Sequence, residues 1–279
     1  MVHLERMRED ALNASRDYYA HQALYEDYMA QRRRRLAKLT RLELDFIEFA
    51  FHNYATHFVE DVLDIACGGG RHVIGLAHRG YKCTGLDYTP ERIQVAKVRA
   101  ESENVPVKLL QGDATRLEYE NEFDAVIALY ILFLLPNDDD VLKCLRQIYR
   151  SLRPGGIFVC NIGNPLYEGK DWFALNMVQR GSLVQEISVK GMRYSGINTV
   201  QDFDPIHGVV WWQETSIIED SDGVHIFRDR ERLRLFTYLE FLNYLQLAGF
   251  KNIQCYPDWE TQQQKKIKGE KLVFVSHKD

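Results

Sequence analysis

The spacing of apolar residues changes near residue 60, and this change divides the chain into two patterns. Over residues 1–60 apolar positions recur at helical intervals, with few glycines or prolines, which predicts helices. The positions that carry this pattern are Leu36, Leu39, Phe46, Ile47, Phe49 and Ala50. From Val62 onward, short apolar runs of strand length alternate with amphipathic stretches of helical length. Such alternation is typical of a parallel sheet with helices on both faces.

The alternating region predicts individual elements. The predicted strands are Val62–Ala66, Lys82–Leu86, Val107–Leu110, Ala125–Leu129, Ile157–Asn161, Ile253–Tyr256 and Leu272–Ser276. The predicted helices are Arg71–Arg79, Pro90 to about Asn104, Asp138–Leu152 and Leu239–Ala248. Thr89 and Thr237 occupy expected N-cap positions, and Gly80 and Gly249 follow two of the helix ends.

A different rhythm interrupts the alternation after Pro165. Leu183–Val189, Gly208–Ile218 and Val224–Arg234 have the composition of strands, and Ser221–Gly223 has that of a tight hairpin turn. We therefore expect an antiparallel meander inserted into the parallel fold. This expectation divides the chain into a helical cap (1–60), a core (61–163), an inserted lid or substrate subdomain (164–236) and the C-terminal part of the core (237–279).

Composition narrows the class of protein. The 279 residues are 46% hydrophobic, enough for a sizeable core, and the net charge of −5 provides no broad attraction for nucleic acid. The five cysteines are far apart and lack metal-ligand spacing, which favours reduced thiols in a cytoplasmic protein and predicts no metal site. The N-terminus has no apolar leader, and the longest apolar run, Ala125–Leu135, is too short to span a bilayer.

The stretch from Val62 to Pro90 carries the most specific chemistry. It reads as strand, glycine turn, helix and strand, and the second strand ends in Asp87, an arrangement that builds nucleoside pockets. A dinucleotide site requires glycine at the first, third and sixth positions of its turn. Counted from Gly68, the sixth position is Val73; counted from Ala66, the first position is already not glycine. The pattern therefore disfavours a dinucleotide cofactor.

The motif Asp64-x-Ala66-Cys67-Gly68-x-Gly70 resembles the first motif of class I S-adenosylmethionine-dependent methyltransferases, which usually carry glycine at the position of Ala66. Three later motifs resemble the same family in the same order: Gly112-Asp113-Ala114, Phe123-Asp124-Ala125 and Leu152-Arg153-Pro154-Gly155-Gly156. The resemblance covers about Val62–Ile162 and Thr237–His277. It implies a Rossmann-like, seven-stranded, mostly parallel α/β sheet whose last two strands form an edge hairpin.

The resemblance also implies S-adenosyl-L-methionine as cofactor and S-adenosyl-L-homocysteine as its product. Asp87 would bind the ribose, Asp113 and the Ala114 N–H the adenine, and the glycine turn the carboxylate end. The candidate cofactor residues are Tyr25, Asp64, Ala66, Gly68, Gly70, Arg71, Asp87, Tyr88, Asp113, Ala114, Ala128 and Tyr130. Structural roles compete for several of them: Asp64 as a brace for the turn, Asp113 as a turn residue, and Arg71 as a solvated side chain.

The segment SRDYYAHQALYEDYM resembles the N-terminus of small-molecule members of the family, in which a tyrosine closes over the sulfonium. Tyr25 is the matching position, with Tyr19 and Tyr28 as neighbours, and its ring could face the cation. The competing interpretation is a helix that buries aromatic residues against the sheet. The four arginines Arg32–Arg35 are expected to form a solvated face.

The acceptor pocket is expected between the tip of the fourth strand and the meander. Candidate acceptor residues are Tyr130, Phe133, Arg193, Trp211, Gln213 and Arg228, and candidate catalytic residues are Tyr25, His72 and His207. Strand alternation sends Trp211 and Gln213 to one face and Trp212 to the other, so that one set alone can face the pocket.

The leading hypothesis is methyl transfer to a nitrogen or oxygen of a small molecule. Base methylation in nucleic acid commonly uses an Asn/Asp-Pro-Pro-aromatic motif, where this chain has Ala128-Leu129-Tyr130-Ile131. A protein or RNA methyltransferase, a non-catalytic cofactor-binding module and a nicotinamide oxidoreductase are the alternatives. The expected partner is a small-molecule acceptor rather than nucleic acid or a membrane, and the oligomeric state is left open.

Overall fold

A computed structural model describes residues 2–24, 30–167, 182–189, 192–261 and 269–279. The predicted residues Tyr25 and Tyr28 lie outside these ranges. Arg32–Arg35 belong to a described helix, but their side chains are not part of the description.

Six α-helices lie within the described ranges. They are α1 (Val2–Leu24), α2 (Ala30–Tyr54), α3 (Arg71–His78), α4 (Pro90–Ser102), α5 (Asp138–Ser151) and α6 (Tyr238–Ala248), with a short 3-10 helix at Leu132–Leu134. The long α1 and α2 confirm the predicted helical N-terminal region. Thr237 caps α6 through a reciprocal pair of hydrogen bonds with Glu240, and Gly249 ends that helix at a φ of 107°. Thr89 also precedes its helix, but its side chain makes no cap hydrogen bond there.

Seven strands form the main sheet in the described chain, in the order β10-β11-β5-β4-β1-β2-β3. They are β1 (Asp61–Ile65), β2 (Lys82–Asp87), β3 (Lys108–Gln111), β4 (Phe123–Ala128), β5 (Leu152–Gly163), β10 (Lys251–Pro257) and β11 (Lys271–His277). The first five pair in parallel, and β11 runs antiparallel to both β5 and β10. The predicted Rossmann-like fold class with its edge hairpin is confirmed.

The two faces of this sheet bury separate apolar clusters because strand residues alternate between them. On β4, Val126 faces the cluster that contains Phe241 of α6, whereas Ile127 faces the cluster that contains Ile47 of α2 and Ile74 of α3. Each such side chain contributes about 1.5–3 kcal/mol by leaving water. Strands β2 and β3 are added on one side of β1, and β4 and β5 on the other, so the carboxyl ends of the adjacent, parallel β1 and β4 open a crevice at one edge of the sheet.

A separate antiparallel sheet has the order β6-β7-β8-β9. Its strands are β6 (Ser182–Val189), β7 (Met192–Asp204), β8 (Val209–Asp220) and β9 (Gly223–Arg234). The meander and its hairpin turn are confirmed, but the sequence interpretation omitted β7. Its alternation was obscured because the inward positions of this strand include Gly196 and the buried amide of Asn198 in place of large apolar residues.

The N-terminal helix joins the two sheets, because α1 packs on both β9 and α4. Near its start, Arg8 Nε donates to Asp140 Oδ2 of α5 at 2.7 Å. Near its end, Tyr18 packs edge-on against Trp212 of β8, with 5.6 Å between ring centroids. Within the described ranges, no helix combines the length and the apolar character needed to cross a bilayer.

Candidate active site

A cavity of about 1480 Å³ opens at the carboxyl edge of the parallel sheet, beneath α1 and beside α2. Nine of the sequence-predicted residues line it: Ala66, Gly68, Arg71, His72, Asp87, Tyr88, Asp113, Ala114 and Tyr130. The lining also includes Tyr18 and Tyr19 of α1, with Arg92 of α4 near them. Residues from four separate sequence motifs therefore meet around one space.

The turn after β1 has three residues in the left-handed region: Ala66 at φ 58°, Gly68 at 54° and Gly70 at 81°. The Cβ of Ala66 costs about 1–2 kcal/mol in this conformation, which explains why glycine is the easier residue there. A Cβ built on Gly68 would meet no atom within 4 Å, whereas one on Gly70 would lie 3.0 Å from Ile74 Cδ1 and 3.1 Å from Ala96 Cβ. Gly68 therefore leaves open space, and Gly70 allows α3 to pack closely on α4.

Asp87 is fixed by the backbone around it. The Gly68 N–H donates to Oδ2 and the Thr89 N–H to Oδ1, both at 2.8 Å. The carboxyl is 8% exposed, and its burial raises its pKa even though these N–H groups favour the charged form. The Thr89 hydroxyl also donates to this carboxylate, which still has lone-pair capacity to accept a hydroxyl from the cavity.

Asp64 and Asp113 occupy different depths. Asp64 lies below the turn, 2% exposed, and burial raises its pKa to about 8. Its Oδ2 has no hydrogen-bond partner among the described residues. Asp113 lines the cavity, and its Oδ1 accepts from the N–H and the hydroxyl of Thr115, both at 2.8 Å. Asp113 is thus both a turn residue and a cavity residue.

Glu43 of α2 organises the opposite wall, and sequence reasoning missed it. Its fully buried carboxylate contacts Arg71, accepts from the Tyr130 hydroxyl at 2.5 Å and lies 2.8 Å from His72 Nε2. An acid among the apolar positions of α2, three residues before Phe46 and four before Ile47, was the available clue. Arg71 and His72 are consequently held by Glu43, and the interpretation of Arg71 as a solvated side chain is wrong.

The charges of this cluster favour one protonation state. Burial opposes ionisation of Glu43, but hydrogen bonding from His72 and the charge of Arg71 lower its pKa to about 2. Burial and Arg71 together lower the pKa of His72 to about 4, against the opposing effect of Glu43. Burial, followed by the charge of Glu43, raises the pKa of the Tyr130 phenol. At neutral pH we therefore expect Glu43 to be ionised and Arg71 to be cationic. The imidazole of His72 and the phenol of Tyr130 should both be neutral.

Tyr130 follows β4 with a φ of 62°, uncommon for a residue with a large side chain. Its N–H donates to Asn161 Oδ1 at 3.0 Å, and its ring lies 5.3 Å below the Arg71 guanidinium carbon. Such strain persists where neighbouring contacts hold the residue in place, and it is enriched at ligand sites.

Comparison with known proteins decides between the possible nucleoside cofactors. Residues 62–156 match a family described as methyltransferase domain, and this range includes the glycine turn, Asp87 and Asp113. The chain contains a class I S-adenosylmethionine-dependent methyltransferase domain.

Relatives of this methyltransferase domain share parts of the chain. YqeM of Bacillus subtilis, named as a methyltransferase, is 24% identical over 78% of this chain and 83% of its own length. Demethylmenaquinone methyltransferase of Staphylococcus aureus is 40% identical over 35% of this chain, less than half (41%) of its own length. The solved structure of CalS10, an amino pentose methyltransferase from Micromonospora echinaspora with its cofactor bound, superposes with a TM-score of 0.67. It covers 91% of this chain and 97% of CalS10 at 20% identity, which establishes a shared fold.

The methyltransferase site has features that fit S-adenosylmethionine. The space in front of Gly68 lets a ligand approach the backbone, and the Gly68–Gly70 amides stand where α3 begins, a favourable place for a carboxylate. Asp64 lies beneath the turn and is not part of the cavity lining. Gly70 and Ala128 do not line the cavity themselves; they support the turn and the end of β4.

Of the predicted acceptor residues, Tyr130 lines the cavity, and the other five lie elsewhere. Trp211 and Gln213 share the face of β8 opposite Trp212, and Trp212 is the residue that faces α1. Trp211 instead packs against Arg230, whose guanidinium carbon lies 5.0 Å from its ring centroid. Phe133 is partly buried against the cluster that contains Leu134 and Trp212, outside the cavity lining.

Three charged candidates stand at the surface of the antiparallel sheet. Arg193 pairs with Glu219 at 3.4 Å, Arg228 is exposed, and His207 lies 2.6 Å from Asp204 in the β7–β8 turn. Neither they nor Trp211 and Gln213 line the cavity. The sequence supplied the alternation of the strands but not which face α1 would cover, and that choice decides which meander residues approach the site.

Proposed function

We propose that this chain transfers a methyl group from S-adenosylmethionine to a nitrogen or oxygen atom of a small-molecule acceptor. The observation that carries the proposal is the position of α1. Its Tyr18 and Tyr19 line the same cavity as Asp87 and Tyr130, which makes the space beside the cofactor residues a covered chamber suited to a small acceptor. CalS10 and demethylmenaquinone methyltransferase, which resemble this chain, are named for small-molecule acceptors.

In this proposal, Asp87 accepts the ribose hydroxyls, and Asp113 with the Ala114 N–H meets the adenine. The N–H groups of the Gly68–Gly70 turn hold the carboxylate end. When bound, the cofactor supplies an electrophilic methyl group on a sulfonium, and transfer by in-line displacement depends mainly on positioning. The Glu43 cluster fixes Arg71 and Tyr130 as a rigid wall, and α1 reduces the access of water.

Two measurements test the proposal on the full chain. Calorimetric titration with S-adenosylhomocysteine should show binding that NAD does not displace. Incubation with methyl-labelled S-adenosylmethionine and a metabolite extract should then place the label in the low-molecular-weight fraction. Label confined to protein or RNA would overturn the small-molecule acceptor, and binding without transfer to any fraction would overturn the enzymatic function.

A further inference from the structure

One wall of the cavity consists mainly of apolar and aromatic side chains. It is formed by the face of α1 that meets the cavity and by the chain that follows β4. We call it the aromatic wall, and the side chains that define it are Leu12, Tyr18, Tyr19, Tyr130, Ile131 and Leu134. The cofactor side of the same cavity instead presents the carboxyls of Asp87 and Asp113. The two sides therefore suit ligand groups of different polarity.

The hydroxyl groups of the wall tyrosines are bonded away from the cavity. Tyr18 donates to Glu214 Oε2 at 2.9 Å, and Tyr130 donates to Glu43 Oε1 at 2.5 Å. These two glutamates are at most 6% exposed, and neither belongs to the cavity lining. Both tyrosines therefore present their rings to the cavity, because their hydroxyls are directed into the protein interior.

Tyr19 follows the same arrangement. Its hydroxyl forms a hydrogen bond with Glu231, which is 3% exposed and also lies outside the cavity lining. The Arg92 guanidinium carbon lies 5.4 Å from the centre of the Tyr19 ring, and that of Arg71 lies 5.3 Å from the centre of the Tyr130 ring. Each of these two rings is thus held at its hydroxyl by a glutamate and over one face by an arginine.

Apolar packing supports the aromatic wall from behind. Tyr18 lies edge-on to Tyr19, with 5.0 Å between ring centroids, and edge-on to Trp212 of the antiparallel sheet. Leu134 belongs to the same buried cluster as Trp212, and Ile131 packs against that cluster. The wall is therefore preformed, which lowers the conformational entropy that is lost when a ligand binds to it.

The aromatic wall offers few hydrogen-bond partners to a ligand. Apart from its tyrosines, α1 contributes two polar side chains to the described lining, Ser15 and Arg16, and Arg16 is paired with Asp17 at 3.0 Å. The lining residues that follow β4 are aliphatic apart from Tyr130. A ligand with many hydroxyl groups would leave several of them unpaired against this wall, which weakens binding. A flat apolar ring would instead bury its surface against the tyrosines.

The aromatic wall reaches the place where methyl transfer is expected. In the parallel pairing of β1 with β4, Ala128 lies beside Ile65, so the chain at Tyr130 leaves β4 next to the glycine turn that follows β1. The cavity volume of about 1480 Å³ exceeds the roughly 300–1,000 Å³ of a typical ligand pocket. The cavity therefore has space for an acceptor against the wall while the cofactor lies along Asp87 and the turn.

We propose that the acceptor is a planar aromatic compound whose ring packs against the rings of Tyr18, Tyr19 and Tyr130. This inference rests on the proposed function and specifies its substrate class. Aromatic rings in edge-to-face or offset geometry attract each other beyond the effect of buried area. Three fixed tyrosines offer this attraction to an aromatic ring but not to a saturated skeleton. The ring is bound by the wall, and the nitrogen or oxygen that it carries is directed toward the methyl group.

Binding to the native complex with S-adenosylhomocysteine tests the inference without turnover. The probes are two pairs with matched hydroxyl groups, benzyl alcohol with cyclohexylmethanol and 2-naphthalenemethanol with its decahydro derivative, and glucose is the sugar probe. Proton NMR titrations of the full chain give the dissociation constants. In at least one pair the aromatic member should bind about fivefold or more tightly than its saturated partner, and more tightly than glucose. The saturated members are at least as apolar, so the hydrophobic effect alone does not produce this preference.

The outcomes of these titrations are distinct. No aromatic preference in either pair, or glucose binding as tightly as the aromatic probes, would overturn the inference. Failure of the chain to bind S-adenosylhomocysteine at all would instead overturn the proposed function. Both results come from the native protein and do not depend on the folding of a variant.

Two substitutions at Tyr19 separate the ring from its hydroxyl. Tyr19→Phe keeps the ring and should retain the aromatic preference, whereas Tyr19→Leu keeps an apolar side chain without the ring and should lower the preference by about threefold or more. Tyr238→Leu, at an exposed tyrosine of α6 outside the cavity lining, is the matched control and should keep the native preference. An unchanged preference in Tyr19→Leu would place the bound ring away from the wall and overturn the inference.

Discussion

The turn after β1 and the inward face of the antiparallel sheet hold buried carboxylates by different means. Asp87 is held by two backbone N–H groups close to it in sequence, Gly68 and Thr89. Glu214 is held by tyrosines from α1 and β7, one of them 196 residues away in the chain. The first arrangement follows from a local motif, whereas the second exists only after two sheets and a helix have assembled. Local order therefore positions Asp87 at the parallel sheet, and tertiary packing positions Glu214 in the antiparallel sheet.

The largest expected effect comes from Glu43, whose buried carboxylate on α2 contacts Arg71 and His72 of α3. Glu43→Gln leaves Arg71 without its buried partner, and we expect it to lower the free energy of unfolding by about 3 kcal/mol in urea titrations. Glu48→Gln, which breaks the more exposed pair with Arg79, should cost less than about 1 kcal/mol. Equal losses in the two variants would contradict a special role for the Glu43 cluster.

The Glu43 cluster should also make the stability of the native protein depend on pH. Glu43 has a folded-state pKa of about 2 against an ordinary 4.5, and His72 one of about 4 against 6.5. Both groups hold fewer protons when folded, so their contribution to stability is lost as the pH falls from 6.5 toward 2. Glu43→Gln should weaken this acid sensitivity.

Asp87→Ala should weaken binding of S-adenosylhomocysteine about 100-fold, since it removes a charged acceptor of two hydroxyl hydrogen bonds. Far-ultraviolet circular dichroism should be unchanged, because Gly68 and Thr89 N–H groups can bond to water that enters the cavity. Titration calorimetry measures the affinity, and Asp222→Ala at the β8–β9 turn is the control. An affinity within twofold of the native value would remove Asp87 as the ribose ligand.

Two substitutions in the glycine turn compare the effect of steric overlap with that of left-handed backbone conformation. Gly70→Ala should lower the free energy of unfolding by about 2 kcal/mol, because its Cβ would meet Ile74 and Ala96 and its φ is left-handed. Ala66→Gly should change stability by less than about 1 kcal/mol, since relief of the left-handed alanine is offset by the greater freedom of glycine in the unfolded chain. Thermal unfolding of the two variants compares them, and a larger change for Ala66→Gly would contradict this account.

The smallest expected effect comes from Glu231, which is buried on β9 across from Trp212. Burial raises the pKa of Glu231 from 4.5 to about 8, so the folded state holds the proton more tightly than the unfolded state. Native stability from this group is present below pH 4.5 and is lost as the pH rises toward 8. Relative to the native protein, Glu231→Gln should therefore gain about 1 kcal/mol between pH 6 and pH 7, measured by urea unfolding. A constant difference across this range would show that Glu231 titrates normally.

The contrast between the two regions also explains what could be predicted from sequence. Glycines, strand-end acids and alternating apolar runs predicted the parallel sheet and brought Asp87 and Asp113 to one cavity, because each depends on neighbours in the chain. Strand β7 was missed because its inward face includes Gly196 and Asn198, which weakens the apolar alternation. Alternation correctly separated Trp211 from Trp212 but could not indicate which one α1 covers. Glu43 and Glu231 were missed because their partners come from distant elements.

The bridging position of α1 has a thermodynamic consequence. This helix contacts α4 of the parallel fold and β9 of the antiparallel sheet. A cavity ligand that displaces α1 from α4 must therefore also disturb the contacts of α1 with β9. By reciprocity, whatever the ligand does to the packing of α1 on β9, that packing does equally to the affinity for the ligand. The N-terminal helix thus couples occupancy of the cavity to the docking of the antiparallel sheet.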